Sequence, residues 1–373
     1  YMVGFVDDTS GSTNDFLSPV RHPDTHYHGL ATQDAQRWND ILKLSGGALE
    51  DSKCSYHFVK YSFTSDGIPV LSSGVSPSPI SIHFNNSDTE IPLRQLPNTT
   101  PHKTLGTYKS PSGNPKASYK PILARNDFHC KVVARSPLNR KDAWSYYHAI
   151  YLPSITYPFP SQCLSDIQCN TLQRNIKQVI LPKYGWARNT PEAVVYGSAE
   201  YGGLEFRTLS VEKSASQITA LMKCLRTPGV AQDLAKVAIS WAQLIAGTGI
   251  SIFQDTHTPL PHLYPMMWLP SIRDFLGRTH STLDLEWEYV TPIQRMGDIH
   301  LMDRAREIFD DKTLQLINAC RLFLGVTLLS DIANADGRHI PDHFFDGKSS
   351  PYHRHKGLFP YQDNPGRNAW SKW

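Results

Sequence analysis

Up to about residue 110 the chain alternates short apolar runs with turn-forming clusters; beyond that point its apolar positions recur with a helical period. Val3, Phe5 and Val6 are strand formers, interrupted by Asp7-Asp8-Thr9. A loop rich in Ser, Thr, Gly, Pro and His follows as far as Leu30 and carries His22, His26 and His28. Thr32 reads as an N-cap, and Ala35, Trp38, Ile41 and Leu42 share one helical face, so a helix is expected over 33–45 with Gly46-Gly47 as its stop. Strands are expected over 55–63 and 68–71, joined by the hairpin signal Asp66-Gly67. Further strands are expected at Ile80 to Phe84 and Lys103 to Tyr108, with a turn at 110–113.

From about Ile122 the pattern becomes helical. Residues 144–152 fit a helix stopped by Pro153, and 164–181 fit one stopped by Pro182. The clearest amphipathic stretches are 210–225 and 230–245, separated by Thr227-Pro228-Gly229. One or two helices are expected over 301–329, then an irregular tail from Asp336. No internal repeat occurs. The fold class is therefore α+β, with small antiparallel strands and a helix first and a mostly α-helical part second. Three segments are expected: 1–110, 115–275, and an extension over 276–373.

Composition narrows the class. A 40% hydrophobic and 19% charged chain of 373 residues is globular. The net charge of +3 permits a nucleic-acid partner without arguing for one. Six scattered cysteines do not form a disulfide framework, which favours a reduced, intracellular protein, nuclear or cytoplasmic. No apolar run reaches the roughly 18 residues of a membrane span. The start at Tyr1 reads as the middle of a folded element. No Walker A loop, dinucleotide fingerprint or G-x-S-x-G elbow is present.

Two adjacent carboxylates after an apolar strand suit hard Mg²⁺, or Mn²⁺, in a two-metal phosphoryl-transfer site, although an exposed turn has the same composition. The order Phe5-Val6-Asp7-Asp8, helix, Gly46-Gly47, Lys53, strand, Leu105-Gly106 resembles the second half of a reverse transcriptase palm. The resemblance makes Asp7 and Asp8 the acidic pair of motif C and metal ligands. It makes Lys53 the motif D lysine that protonates the leaving pyrophosphate, and places the primer grip on Lys103, Leu105, Gly106 and Tyr108. Downstream, Leu152-Pro153 to Tyr157, Leu181-Pro182, Pro191-Glu192-Ala193 and Tyr201-Gly202-Gly203-Leu204-Glu205 are similar in order to the thumb of non-LTR, LINE-like retrotransposon polymerases. Glu205 stands where that family's box has its last glycine. The resemblance, covering about residues 1–225, implies a partial palm and a helical thumb. The implied partners are an RNA template, a DNA primer and deoxynucleotide triphosphates. The family's motif A aspartate precedes motif C and has no counterpart in this chain, so the chain alone is expected not to polymerise.

Other residues carry competing readings. Cys54-Ser55-Tyr56-His57 is half of a zinc pattern without its second half. Tyr184 to Arg188 and Tyr352 to Lys356 interleave aromatic and basic residues, as a nucleic-acid surface or a core both allow. Trp241, Trp268, Trp287, Trp370 and Trp373 are expected to pack helices. Two alternative functions remain open at this stage. One is a non-catalytic nucleic-acid-binding remnant of a mobile element. The other is a metal-dependent phosphoesterase built on Asp7, Asp8 and the histidine cluster.

Overall fold

A computed structural model describes residues 2–4, 9–11, 23–63, 69–72, 76, 78–84, 89–104, 106–112, 116–263, 268–286, 290–345 and 364–373. The chain divides into two compact units, Tyr1–Ile122 and Leu123–Trp373, and the division falls inside a helix, Lys116–Arg135.

Among the described residues the first unit contains ten short strands in two-stranded ladders. β1 (Met2–Gly4) pairs antiparallel with β2 (Thr9–Gly11), in the register Met2 to Gly11 and Gly4 to Thr9. Helix α1 runs Asp24–Leu44, starting nine residues earlier than the expected 33. Pro23 in extended conformation makes the entry, and Asp24 complements the positive helix end, so Thr32 lies mid-helix with its hydroxyl bonded back to His28 O. α1 is held by side chains that complete a strand edge. Gln36 accepts from the His83 N–H and Asn39 donates to the His83 carbonyl, at 2.8 and 2.9 Å.

β3 (Ser55–His57) pairs in parallel with β8 (Arg94–Leu96), so the expected all-antiparallel arrangement has an exception. β4 (Lys60–Phe63) pairs with β5 (Pro69–Ser72), flanking the Asp66-Gly67 turn, which lies outside the described residues. β6 (Ser81–His83) pairs with β7 (Glu90–Pro92), and β9 (His102–Thr104) with β10 (Thr107–Lys109). Among the described residues of this unit Ile80, Ile82, Phe84, Leu96 and Ile122 are the buried apolar ones.

The second unit is helical. It comprises most of α2 (Lys116–Arg135), then α3 (Arg140–Tyr146), a π turn (Tyr147–Tyr151) and α4 (Leu152–Thr156) in one continuous helix. Pro153 does not stop that helix. A proline ring collides with the carbonyl four residues back, and the wider π turn moves that carbonyl away. α5 (Asp166–Lys183) begins at a capping box of Ser165 and Gln168 and retains Pro182 in its last turn. α6 (Glu192–Tyr196), α7 (Leu209–Arg226), α8 (Val230–Ala246), α9 (Trp268–Arg278), α10 (Leu301–Ile308), α11 (Asp311–Leu324) and α12 (Arg367–Trp370) follow.

Tyr147, Tyr151, Leu172, Ile176 and Ile180 are fully buried and join the 140–156 helix to α5. Gln173 ties that layer together, donating to Tyr147 Oη and accepting from the Leu209 N–H. His129 on α2 bridges Tyr146 and Ser154 at 2.7 Å each, and burial, with the nearby Arg125 charge, lowers its pKa. α7, α8 and α9 enclose a second core around Phe253 and Ile272. Trp370 and Trp373 pack against Leu324, Val326 and Phe344, as expected of them, and the tail closes with a short helix. Trp268 packs against the second core. Trp241 does not pack as expected: half of its surface is exposed, because it stands on the side of α8 opposite the buried Ile239 and Ala246. Trp287 lies outside the described residues.

Candidate functional site

Asp7, Asp8 and Leu105 lie outside the described residues. What is described is their framing. Phe5-Val6-Asp7-Asp8 is the four-residue connection between the paired strands β1 and β2. Lys53 ends a single 3₁₀ turn, Asp51–Lys53, and is exposed. Lys103 on β9 stands directly opposite Tyr108 on β10. Gly106 between those strands has φ +76°, the left-handed backbone that tight hairpins need and that glycine adopts without penalty. Ser55, two residues after Lys53, lies 3.2 Å from His102 Nδ1, next to Lys103. The Lys53 turn and the 102–109 hairpin are therefore neighbours.

The loop 197–206 holds its backbone by two unusual features. Gly202 has φ +80°, and Gly203 lies so close to Gly197 that a Cβ there would sit 2.1 Å from the Gly197 carbonyl oxygen. Glu205 has φ +54°. That left-handed conformation costs a non-glycine residue about 1–2 kcal/mol. Its side chain offsets part of the cost by accepting from the Ala199 N–H at 3.0 Å. Three backbone positions thus carry a glycine requirement, one of them filled by glutamate.

Charge is unevenly distributed. Residues 116–188 hold 11 Lys/Arg against 3 Asp/Glu, a net +8, while the other 300 residues hold 26 against 31, a net −5. The whole-chain value of +3 hides this separation, so the sequence reading passed over it; a running charge sum would have found it. The described geometry brings part of that charge together. Lys120, Ala124, Phe128, Lys131 and Arg135 recur along α2 at helical spacing and are all exposed. At the end of α2, Lys183 Nζ donates to Ser136 O at 2.7 Å, and the Arg140 guanidinium lies 5.6 Å over the Tyr184 ring. The Tyr184 to Arg188 stretch splits accordingly: Tyr184 is buried, whereas Arg188 is exposed. Residues 352–356 lie outside the described residues.

Other expectations resolve differently. His26 and His28 sit in the opening turns of α1 rather than in a loop, and His28 faces Ser78 Oγ at 3.2 Å; His22 lies outside the described residues. All six cysteines are free thiols. Among the described residues no group of three or more His, Cys, Asp or Glu side chains is placed to hold a metal ion, which leaves Cys54 and His57 without further ligands. Among the described residues no helix is long and apolar enough to cross a membrane. Comparison with known protein families, with curated proteins and with solved structures finds no match to this chain.

Proposed function

We propose that this chain is the C-terminal part of an RNA-directed DNA polymerase of LINE-like type, comprising palm motifs C to E and a helical thumb. The observation that carries the reading is the antiparallel pairing of β1 with β2 around Phe5-Val6-Asp7-Asp8. Two adjacent aspartates in the sequence that joins two paired strands are what a two-metal nucleotidyl-transfer site asks of motif C. The order that follows agrees with it: helix α1, exposed Lys53, the 102–109 hairpin, then helices interrupted by the 197–206 loop that carries Gly202, Gly203 and Glu205.

In the proposed role Asp7 and Asp8 would hold Mg²⁺, which would supply Lewis-acid stabilisation of the attacking and leaving oxygens. Lys53 donates the proton to the leaving pyrophosphate, and the Lys103 to Tyr108 hairpin holds the primer end. A further aspartate, from motif A of the family, completes the metal site.

The test is primer extension on an RNA template by this chain fused to its upstream coding sequence, with Asp7→Asn alongside. Mg²⁺-dependent extension that Asp7→Asn abolishes is expected. A folded fusion containing a motif A aspartate that extends nothing would refute the polymerase. The charge separation of +8 against −5 also suits a second reading, nucleic-acid binding without chemistry. Salt-sensitive RNA binding unaffected by Asp7→Asn, with no extension, would favour it.

A further inference from the structure

Arg140, Trp144 and His148 recur every fourth residue on the 140–156 helix, so they form one ladder on its surface. Trp144 is 46% exposed, although an indole of its size is normally covered. The ring is nevertheless held in place. His148 lies against it with centroids 4.5 Å apart and planes 36° from parallel. His148 in turn lies 6.3 Å from the buried Phe206, which packs on Tyr147 and Tyr184. The indole is thus backed by a tilted ring pair that leads to the core, and nearly half of its surface is open to solvent.

Cations stand close by, together with the carboxylates of Asp142, Glu205 and Glu212. Arg140 is one turn before Trp144, and Lys141 is beside it and exposed. Tyr147 Oη donates to the Arg207 carbonyl at 3.0 Å, which brings the exposed Arg207 alongside the same helix, where its guanidinium meets Glu212 at 3.4 Å and a phosphate would compete for it. The ladder belongs to the 116–188 stretch that holds the chain's excess positive charge.

We propose that Trp144, backed by His148, is a stacking platform for an unpaired nucleobase of a single-stranded nucleic acid, with Arg140, Lys141 and Arg207 taking the flanking phosphates. A π face backed by a second ring, with cations close by, is complementary to a base with its two phosphates. A paired base in a duplex has both faces stacked and offers none to the indole. The platform therefore selects single strands by stacking, while the cations add an attraction common to single strands and duplexes. The inference rests on the nucleic-acid reading above and adds to it a second contact, distinct from the primer end.

The experiment is an anisotropy titration with a labelled oligonucleotide of about 20 nucleotides, as single-stranded RNA, as single-stranded DNA and as a blunt duplex. Wild type is compared with Trp144→Ala and Trp144→Phe, whose folding is checked by circular dichroism. Trp144→Ala is expected to weaken both single strands about ten-fold, the loss of one base–aromatic stack. Duplex affinity should stay within about two-fold, and the salt dependence should not change, because no charge is removed. Trp144→Phe keeps a ring and should stay within about three-fold of wild type. Unchanged single-strand affinity in Trp144→Ala, or an equal loss on the duplex, overturns the platform while leaving the polymerase reading standing. Wild type that binds none of the three probes overturns both.

Discussion

Substitution of the two glycines at 202 and 203 by alanine should separate two physical requirements that look alike in sequence. At Gly202 an added Cβ meets nothing within 4 Å, so the only penalty is the left-handed backbone at φ +80°. That penalty is about 1–2 kcal/mol. At Gly203 the added Cβ would lie 2.1 Å from the Gly197 oxygen and 2.3 Å from its carbonyl carbon. Those are backbone atoms and cannot rotate aside, so the two arms of the loop must part. Parting them breaks Gly203 N–H to Ser198 O and Glu205 N–H to Gly197 O, at 2.9 and 3.0 Å. Two such bonds are worth about 2 kcal/mol net, and disturbing the buried anchors Leu204 and Phe206 adds at least 1 kcal/mol more. Gly203→Ala should therefore cost about 3 kcal/mol or more, against about 1–2 for Gly202→Ala. In thermal unfolding followed by circular dichroism, Tm should fall by about 9 °C for Gly203→Ala and about 4 °C for Gly202→Ala, at roughly 3 °C per kcal/mol for a unit of this size. Equal losses, or a milder Gly203→Ala, would refute the close-approach argument. Glu205→Gly should lie within about 1 kcal/mol of wild type, since relief of strain is offset by glycine's entropy and the lost bond to Ala199.

Two buried groups provide further tests. His262 is nearly inaccessible and donates from Nε2 to the Ala246 carbonyl. Burial foremost, and then the charges of Arg321, Arg306 and Arg273, push its pKa down to about 4. Between pH 6.5 and about 4 the unfolded chain binds a proton there that the native chain does not, so stability falls as pH drops through that window, by up to about 3 kcal/mol. His262→Gln should flatten that part of a denaturant-midpoint profile; an unchanged slope would assign the acid sensitivity to other groups. Arg321 is fully buried and donates to Asn318 Oδ1 and to the carbonyls of Leu244, Ile245 and Val326. Arg321→Met orphans these acceptors at about 1–3 kcal/mol each, so the midpoint should fall sharply and amide exchange should quicken in the last turn of α8. Arg321→Lys should recover only part of the loss, because one ammonium cannot span the guanidinium's fork.

The helices of the second unit were legible from local pattern because each buries a single stripe. The expected 210–225 and 230–245 stand within a residue of α7 and α8, with Thr227 to Gly229 between them. The strand pairs around Asp7-Asp8 and Asp66-Gly67 were signalled by turn residues, whose backbone preferences are equally local, whereas Lys103 to Tyr108, expected as one strand, is instead a hairpin whose two short strands pair across Gly106 at positive φ. What the local pattern could not settle was anything decided by a distant partner. Pro153 continues a helix because a π turn precedes it, and the apolar layer of Tyr147 and Tyr151 selects that turn. α1 extends back to Asp24 although His22 to Leu30 reads as a polar loop. The parallel β3–β8 pair joins segments some forty residues apart. The positive φ of Glu205 is imposed by the 197–203 contact against the residue's own preference. The backing of Trp144 by His148 and Phe206 joins residues about sixty positions apart, and only the packed structure brings their rings together. Periodicity and turn chemistry act over a few residues and are written in the sequence, whereas strain, close approach and the covering of a ring depend on which surfaces the folded chain presses together.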